Sequence, residues 1–252
     1  MTTNLEIELL HLTFYGFSCF KLETKGKIIY FDPYLKYVHK IDSLAKADLI
    51  VFSHGHFDHG ALMLKNLYKH WMCPILASGD LVKWMKRKYK RYIPSENYLI
   101  AEYNETVNFE GNEITAIPAY HPLNRLGKTI FALHTRSRTP GKPVNGYYIN
   151  GFYHSGDTKY TSAIAESLAG KIVKAACLPI GGKYAVANPG EAIQIATEIG
   201  APSIIPMHYH PLIQQVPFRY QPSHLVKLVK SQGIDLKVLP LAIGETVEIP
   251  DP

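Results

Sequence analysis

Short apolar runs broken by turn signals fill the first half of the chain, and their period is that of strands. Leu5 to Phe14, Ser18 to Leu22 and Lys27 to Phe31 read as three strands, with turns at Tyr15-Gly16 and Lys25-Gly26. Asp32-Pro33 closes the third, and the β-branched run Leu49 to Phe52 follows as a buried strand. Ala61 to His70 then predicts a helix, Pro74 to Ala77 a short strand, and Ser78 the cap of a helix running to about Tyr92. Further strands are expected at Tyr98 to Ala101, Thr106 to Phe109, Glu113 to Ala119, Thr129 to His134 and Gly146 to Asn150. Phe152 to Ser155 is one more, joined through an Asn150-Gly151 turn.

The second half changes rhythm. Helices near Ser162 to Leu168, Pro189 to Ile199 and residues 222 to 232 alternate with strands Ala175 to Ile180 and Ser203 to Met207. Asn188, with Pro189 behind it and Glu191 three residues on, gives the middle helix a capped start. Leu236 to Leu239 and Thr246 to Ile249 close with strands. No long linker, low-complexity tract or short-period repeat interrupts this order, so residues 1–252 are expected to form one domain. Arg136 to Val144 reads as its exposed loop.

Composition changes this picture little. An apolar content of 46% with 19% charged residues is that of a globular protein with a sizeable core. Seventeen Tyr, seventeen Pro and eighteen Gly suit short strands and turns rather than a helical bundle. No apolar run approaches the length of a membrane span, and Met1 to Glu8 lacks the basic start of a secretory signal. Cys19, Cys73 and Cys177 are odd in number and form no CxxC pair, so each is expected as a small buried apolar residue in a reducing compartment. A cytoplasmic location follows as the expectation. The net charge of +6 favours anionic or strongly polarised substrates.

The chemistry is concentrated in Ser53-His54-Gly55-His56-Phe57-Asp58-His59-Gly60, directly after a buried strand. A packed strand end does not favour three imidazoles and a carboxylate, whereas a divalent cation does. Zinc suits this mixture, and manganese or iron is compatible with it. His121, Asp157 and His208 each follow a predicted strand, and strand ends converge at one sheet edge. The simplest arrangement holds two divalent metal ions. His54, His56 and His121 take the first, Asp58, His59 and His208 the second, and Asp157 bridges them. Two cations about 3.5–4 Å apart lower the pKa of a shared water so that hydroxide exists at neutral pH. Asp58 is the candidate to orient that hydroxide or pass on its proton. Ser53, Ser155 and Cys177 are read as packing or hydrogen-bond support.

Other polar residues carry less. His154, beside the Ser-Gly-Asp turn, is expected near the site but off the metal. His210 follows His208 on one face of an extended segment and is a candidate substrate contact. Lys183, after a glycine pair, is another, suited to a phosphate or carboxylate; Arg125 and Lys128 invite the same thought. His11, His39, His70, His134 and His224 have no ligand-spaced partner and are expected to be solvated or hydrogen-bonded. The run Lys83 to Tyr92 reads as a helix whose Trp84 and Tyr89 pack while its bases stay in water. Contact with a nucleic-acid backbone or anionic lipid is the sharper reading of the same run.

Taken together these motifs resemble the metallo-β-lactamase superfamily. Ser53-His54-Gly-His56-Phe-Asp58-His59, then His121, Gly156-Asp157-Thr158 and His208 stand in that family's order. Asp32-Pro33 resembles its early aspartate, which supports the metal loop without binding metal. Gly16-Phe-Ser-Cys19-Phe20, Ile117-Pro-Ala-Tyr-His121, Tyr153-His-Ser-Gly-Asp157-Thr158, Leu178-Pro-Ile-Gly-Gly182 and Pro206-Met-His208-Tyr209 are similar to its metal-dependent hydrolase branch. That branch is akin to L-ascorbate 6-phosphate lactonase and, more distantly, N-acyl-phosphatidylethanolamine phospholipase D. The resemblance spans almost the whole chain. It implies an α+β fold, a four-layer αβ/βα sandwich of two mostly antiparallel sheets with helices outside and the metals at one edge.

For activity, the resemblance implies a metal-dependent hydrolase acting on an ester, lactone or phosphoester bond of a small anionic molecule. A phosphodiesterase acting on nucleic acid or phospholipid is the alternative. Relatives that process RNA carry an extra arm or second domain, for which this chain has no room. The superfamily's di-iron oxidoreductase form has a flavin domain that is not seen here. A binding-only scaffold would lack a ligand position, and all seven are present. Homo-oligomerisation is compatible with the sequence, which does not specify it.

Overall fold

Along β3 (Lys27–Phe31) and β4 (Leu49–Val51) alternate side chains enter two different apolar clusters. Ile29, Phe31, Leu49 and Val51 join one, and Tyr30, Ile50 and Phe52 the other. A sheet covered on both faces therefore accounts for the unbroken apolar run that marks β4 in the sequence. The structure, a computed structural model, describes residues 9–37, 41–122, 144–182, 185–209 and 220–249. The strand expected at 129–134, most of the loop expected at 136–144, and Lys183, His210, Arg125 and Lys128 lie outside these.

In the first sheet β1 (Leu10–Gly16), β2 (Cys19–Thr24), β3, β4, β5 (Ile75–Ala77) and β6 (Tyr98–Ile100) lie in sequence order. The second holds β7 (Thr106–Phe109), β8 (Asn112–Pro118), β9 (Asn145–Ile149), β10 (Phe152–His154), β11 (Ala175–Pro179), β12 (Ser203–Met207) and β13 (Lys237–Val238). β14 (Thr246–Ile249) returns to pair with β1 at the edge of the first. The sandwich is thus the expected one, with one correction: the sheets are mixed rather than mostly antiparallel. Pairing is antiparallel from β14 to β3 and parallel from β3 to β6. It is antiparallel from β7 to β10 and parallel from β10 to β13. Connections explain the switch. Two-residue connections join Gly16 to Cys19, Thr24 to Lys27, Phe109 to Asn112 and Ile149 to Phe152, while the strands that run parallel are joined by longer crossovers, several of them helical.

Helices cover both outer faces. α1 (Leu64–Trp71) buries Leu64, Leu67, Tyr68 and Trp71, the spacing of one helical face, and Trp71 stacks on Tyr30 at 4.5 Å. A 3-10 turn, Ala61–Met63, precedes it where a continuous helix was expected. α2 (Gly79–Tyr89) buries Leu81, Val82, Trp84, Met85 and Tyr89, so the aromatics of the basic run do pack. It ends before Tyr92, and the Ser78 side chain makes no cap bond. α3 (Ser162–Leu168), α4 (Pro189–Glu198) and α5 (Pro222–Gln232) lie on the second sheet. Asn188 and Glu191 form the expected capping box of α4. Between the sheets Phe31 meets Phe152 at 5.5 Å. The three cysteines are buried and unlinked. No helix among the described residues is long and apolar enough to cross a membrane.

Candidate metal centre

β4 ends at Val51 and hands the chain to the histidine loop. His56 is extended (φ −61°, ψ 152°), Phe57–His59 makes a 3-10 turn, and Gly60 closes it at φ 85°. A Cβ on Gly60 would lie 2.4 Å from the Pro33 carbonyl oxygen, so only glycine lets this loop rest on the segment after β3. Gly156 has the same role in the second sheet: a Cβ there would stand 2.7 Å from both Ser53 Cβ and the Asn145 carbonyl. Its absence brings Asp157 against the histidine loop. Asp32 (φ 43°) and His208 (φ 53°) also occupy the left-handed region, at a cost of about 1–3 kcal/mol each.

All seven expected ligands meet at this edge. Donor atoms of His54, His56, His121 and Asp157 lie within 4.8 Å of one another, as do those of Asp58, His59 and His208. Asp157 reaches both groups. Its Oδ2 is 3.7 Å from His54 Nε2, 3.8 Å from His121 Nε2 and 3.2 Å from His208 Nε2, and its Oδ1 is 3.3 Å from His59 Nε2. Asp58 Oδ2 stands 3.6 Å from His208 Nε2.

Proton bookkeeping shows what these atoms lack. Asp32 accepts from the Ser53 amide at 2.8 Å, from Ser53 Oγ at 2.6 Å and from His59 Nδ1 at 2.7 Å. Ser53's only hydroxyl proton is thereby committed, so its oxygen accepts from His54 Nδ1 at 2.9 Å. The Ala185 carbonyl accepts from His121 Nδ1 at 2.8 Å. His54 and His121 are therefore held with the proton on Nδ1 and a lone pair on Nε2, and His59 gives its Nδ1 proton to Asp32 and turns Nε2 to the cluster. His56 Nδ1 lies 2.7 Å from His54 Nε2 and 3.2 Å from His121 Nε2, and one proton there serves only one of them. His59 Nε2 and Asp157 Oδ1 are buried without a hydrogen bond. An acceptor-rich pocket short of donors is what a divalent cation completes. Imidazole with carboxylate fits zinc, manganese or iron.

The charges agree. Burial, reinforced by neighbouring rings, holds His54 well below the ordinary histidine value; burial and His121 push His56 down to about 3; burial lowers His121. These three stay neutral, the form that ligates. Burial alone would raise Asp58 and Asp157, but His208 and His59 outweigh it, bringing Asp58 to about 2 and Asp157 well below its usual value. Burial likewise opposes charge on His59 and His208, yet the carboxylates prevail: His59 is held well above the usual value and His208 at about 10. Two acids in this pocket demand positive charge, and a bound cation would supply it and release those protons.

Asp32 sits behind the cluster. So does His154, whose Nε2 donates to the Ser18 carbonyl at 2.9 Å while Nδ1 accepts from the Gly156 amide at 3.2 Å. Its ring stacks on Phe31 at 5.2 Å. His11, His70 and His224 bond or pair away from the cluster. Sequence reasoning did not find Asn145 and Tyr147. The Asn145 amide donates to the Ser53 carbonyl at 3.0 Å, and Tyr147 Oη donates to the Phe52 carbonyl at 3.2 Å, tying β9 to the end of β4. Neither residue type signals metal binding.

Residues 11–208 match the family described as "Beta-lactamase superfamily domain". A UPF0173 metal-dependent hydrolase of Polaromonas sp. is 31% identical over 259 residues, covering 92% of this chain and 87% of that protein. Another, from Methanopyrus kandleri, is 28% identical over 263 residues, covering 95% and 100%. Among solved structures, Igni18, a metallo hydrolase from Ignicoccus hospitalis, aligns with a TM-score of 0.75 at 23% identity, over 97% of this chain and 100% of that one. That last likeness is one of fold.

Proposed function

The chain belongs to the beta-lactamase superfamily and, within it, to the UPF0173 metal-dependent hydrolases, and on that premise we propose a dinuclear hydrolase of small anionic molecules. The bond cleaved is an ester, lactone or phosphoester. His54, His56 and His121 hold one divalent cation, Asp58, His59 and His208 the other, and Asp157 stands between them. Zinc is the first choice of metal. When bound, two such ions supply Lewis acidity that acidifies water and polarises the bond under attack.

The chain's own residues do the rest. Ser53 and the Ala185 carbonyl fix the tautomers of His54 and His121, and Asp32 holds His59 by Nδ1, so all three rings are oriented before any ligand arrives. Asp58, held to about 2, is charged at every working pH. It serves to orient the attacking water and hand its proton on rather than to store it. The single observation that carries this reading is the buried convergence of imidazole and carboxylate atoms from seven residues around Asp157. Unlinked buried cysteines support a reducing, cytoplasmic setting, and an interior shared by both sheets supports one domain.

Metal analysis of the purified protein, followed by screening of that metal form against lactones, phosphodiesters and short RNA, tests the proposal. His56→Ala and Asp157→Ala are each expected to abolish hydrolysis in a folded protein. Wild-type turnover in both variants would overturn the assignment.

A further inference from the structure

Seven of the protein's bases stand together on one surface of the described residues. Its 27 Lys and Arg exceed its 21 Asp and Glu by six. Lys83, Lys86, Arg87, Lys90 and Arg91 stand along α2 and just beyond it, and Lys65 and Lys69 on the solvent side of α1. Without these seven, 20 bases would face 21 acids, so the remainder of the chain is close to neutral. Between residues 61 and 95 Asp80 is the one acid.

These bases are not neutralised internally. Among the described residues none of the seven makes an ion pair, whereas Lys21, Lys27 and Lys159 each do. The two helices form one surface, because Lys65 Nζ lies 4.1 Å over the Tyr92 ring and Tyr89 Oη donates to the Ala61 carbonyl at 2.8 Å. Like charges at three- and four-residue spacing repel, so the arrangement costs stability unless something anionic covers it.

The shape of the charge selects the partner. Lys86 and Arg87 stand three and four residues after Lys83 and four and three before Lys90, so the four make a ridge, which suits a line of phosphates. Tyr92, 51% exposed and carrying Lys65 over one face of its ring, follows the ridge in sequence and offers the rest of the ring to a base. Insertion into a lipid surface is disfavoured, because Leu81, Val82, Trp84, Met85 and Tyr89 are spent inside the protein and leave α2 no apolar stripe. We propose that this face binds single-stranded nucleic acid through its phosphate backbone, using residues other than those of the histidine and aspartate cluster.

Fluorescence anisotropy of a labelled oligothymidylate with the full-length protein tests this. Engagement of about five phosphates predicts that the logarithm of affinity falls with the logarithm of salt at a slope of about −3.5. Lys83→Gln/Arg87→Gln/Lys90→Gln should weaken binding at least about tenfold and reduce the slope by about 2, with turnover of a small substrate unchanged. Tyr92→Ala should lose at least about fivefold at the same slope. His56→Ala should bind as wild type does. Lys90→Glu, a single exposed change past the helix end, has to move affinity in the same direction should the triple variant misfold. Absence of oligonucleotide binding at about 50 mM salt, an unaffected triple variant, or capture by phosphatidylserine vesicles but not by oligonucleotide would each overturn the proposal.

Discussion

Ser53 Oγ stands between Asp32 and imidazoles from both halves of the cluster, 2.9 Å from His54 Nδ1 and 3.4 Å from His59 Nδ1. Ser53→Ala leaves the His54 proton without its acceptor, so cation affinity should fall about 10–100-fold while the fold persists. Competition with a chromophoric chelator measures it, and unchanged affinity would contradict the network. His154 probes the same interior from behind the cluster. Burial holds its ring below the ordinary value, and the neutral form fits its two hydrogen bonds. Below about 6.5 the unfolded chain takes up a proton that the folded ring refuses, so this stability is present above that pH and lost as pH falls. His54, His56 and His121 act alike and His59 and His208 oppositely, so the variant must be compared with wild type. His154→Gln should shrink the drop in unfolding midpoint between about pH 7 and pH 5; an equal drop in both proteins would refute the account. At this scale the ligand-type residues were legible because imidazole and carboxylate are conspicuous after an apolar run. The Ala185 and Ser18 carbonyls were not, since every residue has one.

Among elements, the strands that fall in the described residues were readable from their period and α4 from Asn188-Pro189-Gly190-Glu191, which is its capping box. Strand direction was not, because it depends on which connections are hairpins and which are crossovers. Nor was the 3-10 start of the helix after Gly60, where packing against Pro33 overrides local preference. Two substitutions separate these cases. Asn188→Ala should cost about 1 kcal/mol in chemical denaturation and leave cation affinity alone. Gly60→Ala forces a Cβ toward a backbone oxygen at 2.4 Å in a left-handed conformation. It should cost more than about 1 kcal/mol and weaken the cation site as well. Intact affinity in the second variant would show that the histidine loop tolerates displacement.

For the whole molecule, the motif order announced the sandwich, but not that its two sheets contribute to the cluster so evenly. His54, His56, Asp58 and His59 follow β4, whereas His121, Asp157 and His208 follow β8, β10 and β12. Ions that bind only the folded chain raise its stability with the logarithm of their concentration, so chelation should lower the unfolding midpoint in a dose-dependent way. Amide exchange gives the sharper reading. The centre lies on the seam like the clasp of a book, and a clasp matters most to the covers it joins. Once it is undone the two leaves should protect their amides to different degrees, while the fastened protein opens as a single unit.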